Sequence, residues 1–149
     1  MHTYTNLLTH VTFSTKERKR FITDDLRPRL LAYMGGIVRE MHGTALAIGG
    51  TDDHVHLLVV LPPTLALAAA MRVLKTNSSR WVHETFPERA MFGWQDGYGG
   101  FSVSESNREQ VKAYISNQES HHHRMTFKQE LIALLDKHGI DYDEAHLWD

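Results

Sequence analysis

The chain has no cysteine, which excludes disulfide staples and the thiolate zinc sites of ribbons and fingers. Proline (4) and glycine (10) are too scarce in 149 residues for a disordered or fibrous chain. Long apolar runs are also missing. The longest, Leu57 to Leu61, stops at Pro62-Pro63, far short of a bilayer span. No basic-then-apolar leader pattern opens the sequence, so a cytoplasmic location is expected. A basic surplus, the usual sign of a nucleic-acid binder, is lacking as well, because the formal net charge is −2.

What is present is the composition of an ordinary folded protein, 42% hydrophobic and 23% charged. Its length suits one domain, residues 1–149, with a core that needs no staples. The charge is unevenly spread. Residues 1–40 carry Lys16, Arg18, Lys19, Arg20, Arg27, Arg29 and Arg39 against four acids, whereas residues 125–149 carry two bases against six acids. An anionic ligand would need such a patch, although a solvated charged loop has the same composition.

Tyr4 to Phe13 reads as a strand followed by a basic loop, Ser14 to Arg20. Leu26, Leu30, Met34, Ile37 and Met41 recur at helical spacing, with Pro28 acceptable near the first turn. Thr44 to Ile48 and Val55 to Leu61 read as strands, and Leu67 to Phe86 as a helix that Asn77-Ser78-Ser79 could interrupt. Phe101 to Ser104 alternates like a short strand. Ser106 and Glu109 have capping-box spacing, which predicts a helix from about Asn107 to about His122. A last helix is expected over Phe127 to Lys137, ending at Gly139. Strand, helix, strand, strand, helix, strand and further helices make an α+β protein. The pattern is the split βαβ order of a ferredoxin-like antiparallel sheet with helices packed on it and an additional C-terminal helix.

The segment 49–63, GGTDDHVHLLVVLPP, carries the most chemistry. Residues i and i+2 of a strand face the same way, about 6.5 to 7 Å apart, so His54 and His56 project together. They are either strand-edge histidines or two imidazoles converging on a cation. Without cysteine, further ligands must come from His, Asp, Glu, Gln or water. Tyr114 and Gln118, at i and i+4, share one face of the helix after Ser106, either as a packed phenol beside an exposed amide or as a pair aimed at the histidines. Asp53 reads equally as a turn acid or as a group orienting a ligand histidine. His10 reads as a core or hydrogen-bonded histidine, and His121-His122-His123 as a solvated helix end.

These pieces occur together and in order: DHVHLLV, then LK..SSRW, then W-Q-x-G-Y-G-x-F-S-V-S, then Y-I-x-x-Q. From Thr9 to about His122 the chain resembles the single-tyrosine HUH transposases of bacterial insertion sequences and their domesticated, repeat-associated relatives. The resemblance implies that His54, His56 and Gln118 bind a divalent metal, Mg²⁺ or Mn²⁺. It further implies that Tyr114 attacks a DNA phosphodiester, giving a 5′-phosphotyrosine and a free 3′-hydroxyl. Single-stranded DNA with hairpin ends and a homodimeric assembly are implied as well. Three neutral ligands would leave the cation's charge for phosphate to balance.

For DNA contact, the basic side chains Lys16, Arg18, Lys19 and Arg20 and, on the second long helix, Lys75 and Arg80 are the candidates. Trp81 and Trp94 could stack on bases, although Trp81 also fits a core stripe. A nucleic-acid-binding module without chemistry could use the same fold, but the nucleophile and three ligands are present. A phosphoesterase with paired His-x-Thr or His-x-Ser motifs is disfavoured, since His10-Val-Thr12 has no partner of that kind at His54.

Overall fold

A computed structural model describes residues 1–119 and 125–148. Its strands are β1 (Leu8–Ser14), β2 (Thr44–Gly50), β3 (His54–Val60) and β4 (Gly99–Ser102). Its helices are α1 (Leu26–Glu40), α2 (Leu67–Thr85), α3 (Arg108–Ser116) and α4 (Phe127–Lys137). The strands form one sheet in the order β2-β3-β1-β4, with every pairing antiparallel. This is the expected α+β sheet with helices packed on it. No described helix is long and apolar enough to cross a membrane.

Alternation divides each strand between two faces. Val11, Phe13, Val55, Leu57 and Val59 form a buried cluster with Leu30, Met34 and Ile37 of α1 and Met71, Leu74 and Val82 of α2. Each fully buried side chain of this size contributes about 1.5–3 kcal/mol. The other face carries Leu8, His10, His54, His56, Leu58 and Phe101. Ile115 of α3 packs on Leu8 and Leu58, while Phe127, Leu131 and Leu135 of α4 pack on Phe101. The histidines of β3 therefore lie under the seam between α3 and α4.

Several boundaries differ from the sequence expectation for local reasons. β1 begins at Leu8 rather than Tyr4. Leu8 pairs with Val60, so two residues further out the partner would be Pro62, which has no N–H for the ladder. α2 runs unbroken through Asn77-Ser78-Ser79, with Ser78 buried and its hydroxyl donating to the Lys75 carbonyl at 3.2 Å. The Ser106–Glu109 capping box does not form. Glu105–Asn107 is a 3-10 turn that places Ser106 inside the turn, where its hydroxyl pairs with that of Ser104 at 2.9 Å. A capping box instead opens α4, between Thr126 and Gln129. The described part of the third helix ends at Ser116, and His121 to His123 lie outside the described residues.

Two glycines explain how closely the helices sit. A Cβ on Gly35 would lie 3.3 Å from Cδ1 of Ile48, which accounts for a glycine in the middle of α1 where it crosses β2. A Cβ on Gly49 would lie 2.0 Å from the carbonyl oxygen of Ile115, so the last turn of α3 meets β2 where no side chain fits.

Candidate metal and tyrosine centre

His54 and His56 leave β3 on the same side and are almost fully buried. Their Nε2 atoms lie 3.1 and 2.8 Å from one oxygen, Oε1 of Glu130 on α4. The carbonyl oxygen of the Gln118 side chain, two residues beyond α3, lies 3.2 Å from His54 Nε2, and the Gln118 amide donates to Oε2 of Glu130 at 3.2 Å. The Tyr114 hydroxyl donates a very short hydrogen bond to that same Oε2. Two histidines, the glutamine and the tyrosine thus meet at one point, around a carboxylate that the sequence reading did not include.

Glu130 was the missed residue. Its signal lies in α4, where Phe127, Leu131, Leu134 and Leu135 repeat at helical spacing and Glu130 occupies an inward position among them, 3% exposed. An acid on a buried helix face needs a partner of opposite charge or a metal. Because this donor is anionic, part of the charge of a cation held here would be balanced by the protein itself, in addition to the neutral ligands that the resemblance implies.

Further groups fix the rings. Asp53 Oδ1 accepts from His54 Nδ1 at 2.7 Å, and the Thr51 hydroxyl lies 2.9 Å from the same nitrogen. Of the two readings of Asp53, the contact matches the orienting one. His10 Nε2 lies 2.8 Å from His56 Nδ1, making His10 a hydrogen-bonded partner rather than a donor to the centre. The Phe127 ring covers the His54 ring, with centroids 4.7 Å apart.

Electrostatics follow from burial and these contacts. Burial depresses the His54 pKa, but the hydrogen bonds and charges of Asp53 and Glu130 outweigh it, so the value is raised to about 9. Burial, reinforced by His56, lowers His10 to about 3 and keeps it neutral. Burial followed by the Glu130 contact pushes the Tyr114 phenol well above the usual range. Glu130 is held below the carboxylate range, because the hydrogen bonds of His54, His56 and Tyr114 outweigh its own burial.

The donor set fits a divalent cation. Among the described residues, His54, His56 and Glu130 each offer an atom within 4.8 Å of the other two. The separations of 2.8 to 3.2 Å between these donor atoms bring them close enough together to share one cation. Nitrogen and carboxylate oxygen together suit Mn²⁺ and related ions as well as Mg²⁺.

The basic candidates fall into two groups. Ser14 pairs with His54 across the sheet, and the Thr15 N–H donates to the Asp53 carbonyl at 2.8 Å, so the loop bearing Lys16, Arg18, Lys19 and Arg20 leaves the sheet at the His54 end. Within it Lys19 pairs with Glu17 at 3.5 Å, Arg20 with Asp52 at 3.5 Å, and Arg18 lies over the Trp148 ring at 4.2 Å. Lys75 and Arg80 are on α2, behind the opposite face. Lys75 donates to the Gly97 carbonyl at 2.6 Å and sits 5.2 Å over Phe13. The structure does not bring these two to the centre. Trp94 is packed against Phe13 and Phe92 and donates to the Ser78 hydroxyl at 2.9 Å, and Trp81 stacks on Tyr33.

The expected resemblance to DNA transposases is borne out by the family to which the chain belongs. Residues 3–118 match the family model "Transposase IS200 like", and the chain belongs to that family. It is 25% identical over 114 residues to the ISDra2 transposase TnpA of Deinococcus radiodurans, covering 73% of this chain and 81% of that protein. It is also 25% identical over 122 residues to the transposase for insertion sequence element IS200 of Salmonella typhimurium, covering 78% and 80%. A crystal structure from Deinococcus radiodurans R1 described as a transposase superposes with a TM-score of 0.63 at 26% identity, over 79% of this chain and 95% of that one. A REP-associated tyrosine transposase bound to a REP hairpin shares the fold, with a TM-score of 0.55 at 15% identity, over 77% and 70%. The family match ends at Gln118, so α4 and Glu130 lie beyond it.

Proposed function

We propose that this transposase-family chain cuts and rejoins single-stranded DNA through Tyr114, with His54, His56, Gln118 and Glu130 holding a divalent cation. The observation that carries the reading is the meeting of the Tyr114 hydroxyl with the two histidines and Gln118 around one carboxylate. Family membership makes DNA the substrate class. When bound, the cation polarises the phosphoryl oxygens and favours the ionised phenol.

The chain's own residues then have distinct tasks. Asp53 and His10 hold the two imidazoles by their Nδ1 atoms, leaving both Nε2 atoms directed at the centre. Glu130 divides its oxygens: Oε1 faces the histidines, and Oε2 accepts the phenolic hydrogen bond, which holds the Tyr114 oxygen at the centre until the phenol gives its proton to solvent. The Tyr114 oxygen forms a bond to phosphorus, the bond from phosphorus to the 3′ oxygen breaks, and the departing oxygen leaves as a 3′-hydroxyl after protonation from solvent. The 5′-phosphotyrosine keeps the phosphodiester bond energy, so a second 3′-hydroxyl can reverse the step. Lys16, Arg18, Lys19 and Arg20 border the His54 end of the sheet and are proposed to position the backbone, Lys75 and Arg80 to extend phosphate contact on the far side. DNA with hairpin ends is the proposed substrate, in keeping with the hairpin bound by the REP-associated transposase. A homodimer is proposed from the family resemblance.

The test is a denaturing gel assay for a covalent adduct on labelled, hairpin-flanked single-stranded DNA with Mn²⁺ or Mg²⁺. Wild type should form the adduct, and Tyr114→Phe should form none while folding normally. Glu130→Gln should lower the rate by about 10–100-fold, as losing a group that supports a metal site typically does. An undiminished adduct from Tyr114→Phe rejects the proposed nucleophile.

A further inference from the structure

We infer that the cavity on the far side of Tyr114 is a seat for one unpaired nucleobase of the strand being cut. The inference rests on the function proposed above and adds a subsite to it. The cavity has a volume of about 380 Å³ and lies between α3, α4 and the free edge of β4. That is the low end of the range for small-molecule sites, suited to a single ring system.

Tyr114 links the cavity to the centre. Its hydroxyl meets Glu130, while the residue also forms part of the cavity wall. A phosphate within reach of the hydroxyl therefore brings a neighbouring nucleotide to the cavity mouth. Val103, Val111 and Leu134 supply an apolar lining, and the Tyr114 ring adds a surface on which a base could stack.

The polar groups match a base better than an anion. Glu130 also lines the cavity, and its negative charge disfavours an anion as the occupant. Asn107 and Gln110 also line the cavity, and among the described residues their side-chain amides have no hydrogen-bond partner. Each offers donor and acceptor side by side, the arrangement that a base edge complements. β4 is an edge strand, and Phe101 and Val103 direct their backbone groups toward β1, the latter through its N–H to the Leu8 carbonyl at 3.1 Å. Alternation turns the N–H and C=O of Ser102 outward, on the side that lines the cavity. Lys137 also lines the cavity, placing a cation where the backbone of a bound nucleotide would run.

The experiment is methyl NMR of the full chain without divalent metal, titrated with each of the four deoxynucleoside 5′-monophosphates and with 2-deoxyribose 5-phosphate. At least one nucleotide should shift the Val103 and Val111 methyl signals saturably, and the base-free sugar phosphate should not. Ala133→Trp, which fills the cavity from an exposed position on α4, should weaken that binding at least tenfold. Gln110→Ala, which leaves the cavity open, should change the ranking among the four bases. Absence of shifts with every nucleotide, equal shifts from the sugar phosphate, or unaltered binding in Ala133→Trp would each overturn the inference. The adduct assay is independent: nucleotide shifts without an adduct would preserve the seat and remove the activity, and the opposite result would do the reverse.

Discussion

Loading the centre with a divalent ion should expel a proton from His54. In the metal-free protein that imidazole is protonated at neutral pH, its pKa raised to about 9 by Asp53 and Glu130 in spite of burial. Coordination needs a lone pair on Nε2, the atom now turned to Glu130 at 3.1 Å. Ion and proton therefore compete for one position. At about pH 7 nearly every His54 carries the proton, so binding should release about one, and apparent affinity should rise about tenfold per pH unit up to about pH 9. The affinity at about pH 7 should lie about 100-fold below its alkaline plateau, a difference of about 2.7 kcal/mol. Calorimetric titration with Mn²⁺, in two buffers of different ionisation enthalpy, counts the protons directly. Asp53→Asn should reduce the count and move the plateau to lower pH, since it removes one of the groups that keep the ring charged. Affinity independent of pH between about 7 and 9, with no proton released, would refute this account of the centre.

The same histidines shape stability in the metal-free protein. His54 has a folded pKa above its unfolded value of 6.5, so its contribution is complete below about 6.5 and fades as the pH rises to about 9, whereas His10, held at about 3, resists a proton that the unfolded chain accepts, and stability falls on acidification below about 6.5. Urea midpoints should therefore be highest near about pH 6.5, each limb sloping by up to about 1.4 kcal/mol per pH unit; a midpoint still rising at about pH 9 would contradict the assignment. Gly49→Ala should cost about 1–3 kcal/mol in the same assay, because its methyl would meet the Ile115 carbonyl, and it should also weaken Mn²⁺ binding by displacing Gln118. Unchanged stability and affinity would show that α3 has room to move.

Much of this centre was legible from short-range pattern. His54 and His56 share a face because strands alternate, and Tyr114 and Gln118 share one because helices repeat every 3.6 residues. The strand order follows from the sequence of elements, and α4 spans the expected residues. Glu130 was not legible in this way. It stands 74 residues from His56, beyond the segment that carries the family pattern, and nothing local distinguishes it from a surface acid except its place among Phe127, Leu131 and Leu134. The Ser106 capping box failed for a related reason: the four-residue pattern was present, but the backbone there enters a 3-10 turn. The approach of Gly49 to Ile115 depends on two elements that meet only in three dimensions.

The last helix anchors a donor of the centre while resting on a small apolar cluster of Phe101, Phe127, Leu131 and Leu135. Detaching that helix and losing the carboxylate are consequently the same event, so whatever fills the centre must also slow the helix's opening. Deuterium uptake along residues 127–137 would then report occupancy at β3 from the opposite end of the chain.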